Sequence, residues 1–410
     1  MSSKKKIIII SSSYPYGLKE TFLHNEVLYL SKYFEIEIYP VIKSIPGATP
    51  VSVPSNVTFH EPIVQNNYFK RIYSGLLNLS PIAFYIRDLG LLLNKGGSFK
   101  EKITRWFLDL LIFRTIYSSS AFRSIQSTDA NIVYFYWAGQ PVQLFRKLNK
   151  DIFIRVHGGE VDLERNKGYI PILKHKIIHQ NNICYLPISQ KAVSMLLAVR
   201  PVHYYINRLG VFNRGANPEP QETDRIRIVS CSNLIPLKRV HLIIEALTEV
   251  NVPVEWIHFG DGPLSGKINN LVKTLGNLVS AHIMGRVKNE VIMTYYATNP
   301  IDLFINVSEV EGVPVSVMEA FSFGIPCFAT DVGGTGEIVN ETNGYLASKD
   351  FNISELCNYI KNVRTLSKAK QLRINARQSW QELCNATTNY QELANVFNKQ
   401  KTPPGVSIIY

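Results

Sequence analysis

Short apolar runs alternate with longer segments of helical periodicity along most of the chain. In the first half, this pattern predicts a helix at Thr21–Ser31 and five buried strands, at Ile7–Ile10, Ile36–Val41, Ile132–Tyr136, Ile152–Val156 and Ile183–Ile188. In the second half, it predicts helices near 239–250, 288–298, 315–323, 354–365 and 368–385, and strands at Ile226–Ser230, Val254–Phe259, Ala281–Met284, Ile301–Asn306 and Pro326–Thr330. Unbroken apolar strands that alternate with helices are typical of an α/β protein with parallel sheets.

A polar segment rich in proline and glycine, residues 214–225, separates the two series of strands. Such a composition is typical of a linker, and a chain of 410 residues favours two cores of ~200 residues each. We therefore predict an N-terminal domain (1–213), a C-terminal domain (226–385) and a final helix and tail (386–410). Two doubly wound domains would leave a cleft between them, and ligands of such sheets bind beyond the carboxyl ends of the strands.

Composition indicates a folded protein of a reducing compartment. Apolar residues make up 46% of the chain, which suits a packed core. The five cysteines include no Cys-x-x-Cys pair, so neither a zinc site nor a disulfide framework is predicted. The apolar run behind the basic N-terminus is too short for a signal peptide, and no run reaches the ~20 residues that span a bilayer. We expect a cytoplasmic protein.

Half of the net charge of +12 lies in residues 66–125, which hold nine lysines and arginines against three acids. Leucines and aromatic residues interleave with these charges, as in Trp106–Phe113. A basic and apolar surface suits the anionic inner face of a membrane, and a buried helix with solvated charges is an equal alternative. Nucleic acid also attracts basic surfaces, but no nucleic-acid-binding motif is present, so we expect no nucleic-acid partner.

The segment Glu311–Pro326 carries the most specific chemistry. It follows a predicted strand and reads as a tight turn and then a helix, with Pro314 suited to the first helical turn. Free N–H groups at the start of such a helix form an anion site. Two turns further on, Glu319 points to the same place, where its carboxylate can accept hydrogen bonds from sugar hydroxyls. A phosphate and a ribose together make a nucleotide, although two glutamates at this spacing also occur by chance.

Other loops that follow predicted strands carry further candidates. Lys238 opens a helix after the first strand of the second domain, where an ammonium group can neutralise a diphosphate. The glycines of Gly260–Pro263 permit close backbone approach, and Arg286-Val287 could edge a nucleobase. In the first domain, Gly17 could let the backbone approach a phosphate, and His157 precedes two glycines at a strand end. Each of these is, taken alone, also compatible with an ordinary loop or a structural side chain.

In combination, the motifs resemble the retaining glycosyltransferases of family 4, which have the GT-B fold of two Rossmann-like domains. The resemblance covers most of the chain and is strongest from Val229 to Tyr345, at Lys238, Gly260–Pro263, Gly285–Val287, Glu311–Glu319, Gly324–Pro326 and Gly333–Glu337. It is looser in the first half, which looks like members that elongate bacterial surface polysaccharides, at Pro15, Glu20-Thr-Phe22, Trp137, His157-Gly158 and Pro187-Ile-Ser189. By analogy, the last helix is expected to pack back on the first domain.

The resemblance implies a role for each candidate. Glu311, His157 and Lys238 would be the catalytic residues. The donor sugar would be held by Glu311 and the backbone of Gly312, Val313, Pro314 and Val315, with His157 beside it. Lys238 and the N–H groups of Val315 and Ser316 would bind the diphosphate, and Glu319 would accept the ribose hydroxyls. The rest of the donor site would comprise Gly17, Asn233, Arg239, Gly260, Arg286 and Val287.

Three positions depart from the family pattern. Asn233 stands where an arginine is common, five residues before the lysine, and Arg239 stands where a glycine is usual. Either Arg239 supplies the missing charge or the diphosphate is held less tightly. The run His157-Gly-Gly-Glu160 is a milder departure from the simplest H-G-x-D pattern.

The resemblance thus implies transfer of a hexose, with retention, from a UDP-, GDP- or ADP-sugar to a glycan or polyprenyl-linked acceptor in bacterial polysaccharide biosynthesis. No cofactor or metal is expected, because the chain has no Asp-x-Asp motif and the lysine and helix would stabilise the departing diphosphate. A sugar-nucleotide epimerase and a non-catalytic nucleotide-sugar-binding protein stay open as alternatives. A dehydrogenase is disfavoured, because the glycine-rich segment Thr330–Glu337 lacks the G-x-G-x-x-G spacing.

Overall fold

A computed structural model describes residues 4–16, 20–42, 49–64, 98–139, 148–162, 165–166, 182–199, 202–220, 225–365 and 368–398. The chain divides into two compact units, Met1–Asn207 with Tyr390–Tyr410 (unit 1) and Arg208–Asn389 (unit 2). The boundaries thus fall at 207 and 389, where the sequence pattern placed them at 213 and 385. Gly17, a predicted donor-site residue, lies outside the described residues. Residues 65–97, which make up much of the basic region 66–125, also lie outside them.

Unit 1 contains a six-stranded parallel sheet. Its strands are β1 (Lys6–Ser11), β2 (Glu35–Pro40), β3 (Val57–Phe59), β4 (Ile132–Phe135), β5 (Asp151–Val156) and β6 (Ile183–Pro187). The helices described in this part are α1 (Thr21–Leu30), α2 (Phe99–Ser118), α3 (Ser120–Gln126) and α4 (Gln190–Val199). The strand order is β3-β2-β1-β4-β5-β6, with parallel pairing between all neighbours.

Unit 2 contains a second six-stranded parallel sheet. Its strands are β7 (Ile226–Cys231), β8 (Val254–Phe259), β9 (Val279–Ile283), β10 (Leu303–Asn306), β11 (Cys327–Thr330) and β12 (Gly344–Ala347). The helices that follow are α5 (His241–Thr248), α6 (Ser265–Val272), α7 (Asn289–Thr298), α8 (Val315–Ser322), α9 (Ile353–Asn362) and α10 (Ala369–Ser379). The last described helix, α11 (Ala386–Asn398), begins in unit 2 and lies mostly in unit 1. The strand order is β12-β11-β10-β7-β8-β9, again with parallel pairing.

The ten strands predicted from the sequence are all present, with ends that differ by at most two residues. Two strands were missed because their signals are weak: β3 has only three residues, and β12 begins with a glycine. The helix predicted at 368–385 is α10 followed by a π-helical turn, Trp380–Cys384. The α/β class with doubly wound sheets is confirmed.

Both sheets share one topology. Counted from the first strand of each unit, the order is 3-2-1-4-5-6 in both. In such a sheet the winding reverses between the first and fourth strands, and ligands bind outside the carboxyl ends of the strands at this switch point. The switch point of unit 2 lies between β7 and β10, so the loops after these two strands are the best placed to meet a ligand.

Apolar strands form the core of each unit. In β1, the four isoleucines Ile7–Ile10 are all buried, and burial stabilises each such side chain by about 1.5–3 kcal/mol relative to exposure. The C-terminal helix α11 takes part in this core: Leu393, Ala394 and Phe397 pack with Leu30 and Phe34. The last described helix is therefore part of the core of unit 1.

Candidate active site

Two side chains from the loops after β7 and β10 meet at the switch point of unit 2. Lys238 ends a 3-10 turn, Pro236–Lys238, that precedes α5, so it lies before the helix rather than opening it. Its Nζ atom lies 2.5 Å from Oε1 of Glu311, and Nδ2 of Asn306, the last residue of β10, lies 3.3 Å from the same oxygen. The side chains of Lys238 and Glu311 keep 21% and 12% of their surface exposed. The structure thus brings together two of the three residues predicted to be catalytic.

A small recess lies at the carboxyl ends of β7 and β10. Its wall includes Cys231, Lys238 and Asn306. The pKa of the Cys231 thiol is raised to about 12, mainly by burial, with Glu319 adding to the rise and Lys238 opposing it. The charges of Lys238 and Glu319 therefore act on the same wall of this recess.

Helix α8 begins beside the Lys238–Glu311 pair, with its N-terminus uncapped. Pro314 is the N-cap residue with an extended ψ of 110°, and Val315 is the first helical residue, so the proline precedes the first turn instead of belonging to it. Its carbonyl accepts hydrogen bonds from the N–H groups of Val317 and Met318. No side chain caps the helix. The first N–H groups of a helix have no partner within it, which leaves those of Val315 and Ser316 suited to an anion.

Glu319 lies on α8, where it accepts a hydrogen bond of 2.7 Å from Nδ2 of Asn289. Burial raises the pKa of Glu319 to about 7, and both the Asn289 hydrogen bond and the charge of Arg214 work in the opposite direction. The carboxylate therefore titrates near neutral pH. Sequence reasoning missed Asn289, because an asparagine at the start of a helix has no pattern that links it to a carboxylate 30 residues away.

Two glycines near the site are required by close contacts between backbones. Gly333 has a φ of +59°, and a Cβ atom there would lie 1.9 Å from the carbonyl oxygen of Glu311. The N–H of Gly334 donates to the carbonyl of Gly312 at 2.5 Å. The glycine-rich segment after β11 thus supports the turn that holds Glu311. At Gly260, a Cβ atom would lie 1.8 Å from the carbonyl oxygen of Ser232.

The other predicted donor-site residues of unit 2 lie on loops around this point. Asn233 is exposed in the loop after β7, while Arg286 is exposed and Val287 half-buried after β9. The Arg239 side chain points to the loop after β10, where its Nε donates to the carbonyl oxygen of Val307 at 2.8 Å. Gly312, Val313 and Ser316 are half-buried in the turn and first helical turn that follow Glu311.

The third residue predicted to be catalytic, His157, belongs to unit 1 and follows β5. Its Nε2 atom lies 3.0 Å from the carbonyl oxygen of Tyr136. Since a carbonyl only accepts, Nε2 carries the proton and Nδ1 is an acceptor. Burial lowers the pKa of His157 to about 3, with a further contribution from the Arg155 charge. The imidazole is therefore neutral at physiological pH.

The buried carboxylate of Glu20 binds Trp137, whose ring packs against His157. The ring of Trp137 lies 4.2 Å from that of His157, centroid to centroid, and its indole N–H donates to Oε1 of Glu20 at 2.5 Å. Glu20 also accepts hydrogen bonds from three consecutive backbone N–H groups after β1, those of residues 12–14. Glu20 thus fills the anion-binding turn after the first strand and holds Trp137 against His157.

No group of three or more His, Cys, Asp or Glu side chains is arranged to hold a metal ion in the parts of the chain that the structure describes. None of the helices described there has the length and apolar character needed to cross a bilayer.

Sequence comparisons point to one family. Residues 214–379 match the model for glycosyl transferases group 1. The chain is 32% identical over 132 residues to N-acetyl-alpha-D-glucosaminyl L-malate synthase of Bacillus anthracis, which covers 30% of this chain and 32% of that protein. It is 26% identical over 242 residues to the amylovoran biosynthesis glycosyltransferase AmsK of Erwinia amylovora, which covers 54% and 58%. The matches span less than two thirds of either relative.

Structural comparison extends over nearly the whole chain. The solved structure of Anabaena Alr3699/HepE in complex with UDP-glucose covers 96% of this chain and 99% of its own, with a TM-score of 0.61 and 15% identity. A likeness at this identity shows the fold, and the expected GT-B fold is confirmed. The matched segment 214–379 lies within unit 2, so the sequence similarity to glycosyl transferases group 1 is carried by this unit.

Proposed function

We propose that this protein is a retaining glycosyltransferase that moves a sugar from a nucleotide-diphosphate sugar to a glycan or polyprenyl-linked acceptor. The observation that carries the proposal is the meeting of Lys238, Glu311 and the uncapped start of α8 at the switch point of unit 2. A cation and free N–H groups suit a diphosphate, and the carboxylates of Glu311 and Glu319 suit hydroxyls on either side of it. The AmsK relative acts in amylovoran biosynthesis by its name, which supports a role in polysaccharide synthesis.

The ion pair of the free protein would rearrange when the donor binds. Lys238 would turn its ammonium group from Glu311 to the diphosphate, and the Glu311 carboxylate would then accept hydrogen bonds from the donor sugar. During transfer, the bond between the anomeric carbon and the diphosphate oxygen breaks, and the acceptor oxygen bonds to the same face of that carbon. The proton of the acceptor hydroxyl goes to the departing diphosphate. Lys238 and the α8 N–H groups stabilise the negative charge that develops there.

His157 has a different role in this proposal. Because its imidazole is neutral with the proton on Nε2, it cannot act as a general acid at physiological pH. Its Nδ1 atom can accept a hydrogen bond from a sugar hydroxyl. We therefore assign it to sugar positioning, consistent with the role that the family resemblance implies.

The donor is a UDP-, GDP- or ADP-sugar, and the UDP-glucose bound by the HepE neighbour favours testing uridine nucleotides first. The experiment incubates the protein with each sugar nucleotide, with and without lipid-linked and free glycan acceptors, and measures release of the nucleoside diphosphate. We expect release that depends on the acceptor and that falls by on the order of 10²-fold in Lys238→Ala. Binding without release would favour the non-catalytic nucleotide-sugar-binding protein, and isomerised sugar nucleotide without acceptor would favour the epimerase.

We also propose that the segment 66–125 contacts an anionic membrane surface that carries the acceptor. Within its described part, helix α2 exposes 64% of Phe99, 38% of Phe107 and 40% of Leu108, whereas Lys102 and Arg114 are buried. The apolar side chains of α2, rather than these two cations, would then make the contact. Sedimentation with vesicles tests this proposal: Phe99→Glu with Phe107→Glu should reduce co-sedimentation with anionic vesicles. Equal sedimentation of the altered and unaltered proteins would refute it.

A further inference from the structure

Arg239 is the one non-glycine residue with a positive φ in the parts of the chain that the structure describes. Its φ and ψ are 47° and 33°, in the left-handed helical region. A side chain in this region crowds its own backbone, so the conformation favours glycine and persists elsewhere only when the surroundings impose it. The family resemblance also places a glycine at this position. The surroundings of Arg239 therefore hold its backbone in this conformation.

The Arg239 guanidinium joins two loops of the site. Its Nε donates to the carbonyl oxygen of Val307 at 2.8 Å, and one terminal nitrogen lies 3.4 Å from the carbonyl oxygen of Ser308. The Ser308 carbonyl also accepts a hydrogen bond from Oγ1 of Thr330 at 2.6 Å. The guanidinium therefore connects the loop after β7 to the first residues after β10. Thr330, at the end of β11, bonds to the same loop.

The residues before Arg239 reach the same loop. The carbonyl of Leu237 accepts a hydrogen bond from the N–H of Glu309 at 2.8 Å, and Lys238 pairs with Glu311. Three consecutive residues, 237–239, thus bond across to residues 307–311. The left-handed turn at Arg239 also leads into α5, since its carbonyl accepts from the N–H of Leu242 at 2.9 Å. Lys238 therefore lies between two residues that both bond to the loop after β10.

We propose that Arg239 is a positioning residue that acts through Lys238 and Glu311, and is not a ligand of the diphosphate. A guanidinium binds phosphate best through two parallel N–H groups, and here the edge formed by Nε and one terminal nitrogen faces the carbonyls of Val307 and Ser308. Burial lowers the pKa of Arg239, and the charges of Glu309 and Asp350 oppose this change. The positive charge of Arg239 is thus balanced by groups of the protein, namely the carbonyls of Val307 and Ser308 and the nearby acids. The proposal rests on the function proposed above.

Two substitutions separate the backbone from the side chain. Arg239→Gly and Arg239→Ala both remove the bonds to Val307 and Ser308, but only glycine adopts the left-handed backbone without strain. We expect Arg239→Ala to melt ~2–4 °C below Arg239→Gly, because alanine strains the left-handed backbone in a domain of this size. Equal melting temperatures would overturn the backbone part of the proposal, and this measurement needs no nucleotide.

A double-mutant cycle on turnover decides how Arg239 acts. If Arg239 works through Lys238, Arg239→Ala should lower kcat by on the order of tenfold in the unaltered protein and by less than about twofold in Lys238→Ala, since coupled residues are not additive. Arg239→Lys should restore little, because an ammonium group lacks the Nε–H and the planar fork with which the guanidinium faces the two carbonyls. Lys370→Ala, which removes a cation that is 80% exposed, is the control for loss of charge and should leave kcat unchanged.

An equal loss in both backgrounds, together with rescue by Arg239→Lys, would show that Arg239 binds the diphosphate directly and would overturn the proposal. Absence of turnover in the unaltered protein with every sugar nucleotide would refute the proposed function and the catalytic part of this inference. The difference in melting temperature between the Gly and Ala variants would still decide whether the left-handed backbone is imposed by the surrounding structure.

Discussion

Two ion pairs, one from each unit, are satisfied to different degrees. In unit 1, Arg155 and Glu26 are fully buried and 2.9 Å apart. The guanidinium also donates to Tyr134 and Asn207, and the second Glu26 oxygen accepts from Tyr134. In unit 2, Lys238 and Glu311 lie partly exposed beside a recess and an uncapped helix. The Arg155–Glu26 pair is fully hydrogen-bonded within the protein and therefore stabilises the fold. The Lys238–Glu311 pair is partly exposed at a switch point and can therefore bind a ligand.

The largest effect that this comparison predicts is on stability. Glu26→Ala would leave the Arg155 charge buried without its carboxylate, and we expect a loss of about 3–5 kcal/mol in the free energy of unfolding. Glu311→Ala, at the partly exposed pair, should cost less than about 1 kcal/mol. Urea denaturation followed by circular dichroism measures both. Similar losses in the two variants would show that the degree of burial does not separate the pairs.

The next effect is on turnover, where the Lys238–Glu311 pair should matter more than the buried pair of unit 1. Lys238→Ala should lower the rate of nucleotide release by on the order of 10²-fold, because it removes a charge that stabilises the transition state. Its melting temperature should change little, since the side chain is partly solvated. Lys370→Ala provides the matched control, with no change in rate. A Lys238→Ala protein that keeps full activity would move the diphosphate site away from this lysine.

The sequence predicted the strands because each is a continuous apolar run, and it predicted Lys238 and Glu311 because both follow such runs at strand ends. The contacts that organise the site could not be predicted in this way. Arg239 bonds a carbonyl 68 residues away, and Arg155 pairs with a glutamate 129 residues away. Such pairs depend on the order of strands in a folded sheet, and neither a left-handed arginine nor a buried ion pair leaves a periodic pattern. The sequence showed Gly333 only as part of a glycine-rich run and did not predict its close contact with the Glu311 backbone.

The third prediction concerns the pH dependence of donor binding, for which Glu319 is compared with the buried Glu26. Burial raises the pKa of Glu319 to about 7, and we propose that its ionised form accepts the ribose hydroxyls. Binding of UDP-glucose should therefore weaken as pH falls through 7, by about tenfold between pH 8 and pH 6 if only the carboxylate binds. In the free protein the sign is opposite: the raised pKa favours folding at low pH, and this contribution is lost as pH rises toward 7.

Calorimetry with UDP-glucose at several pH values measures this dependence, because UDP-glucose itself has no group that titrates between pH 6 and pH 8. Glu319→Gln should bind more weakly and without the pH dependence. Glu26→Gln, if it folds, should keep the pH dependence, because Glu26 lies in unit 1 within its own hydrogen-bond network. A pH-independent affinity in the unaltered protein would remove Glu319 from the ribose site.

The smallest effect concerns Asn289, which holds Glu319 by a single hydrogen bond of 2.7 Å. This bond favours the ionised carboxylate, so its loss in Asn289→Ala should raise the pKa of Glu319 above 7. A hydrogen bond worth about 0.5–1.5 kcal/mol corresponds to a rise of roughly 0.4–1 pH unit in the midpoint of UDP-glucose binding. Asn358→Ala, on the exposed face of α9, is the control and should leave the midpoint in place. A merely structural Asn289 would weaken binding at all pH values alike, whereas a shifted midpoint with unchanged affinity at high pH identifies a residue that acts through the charge of Glu319.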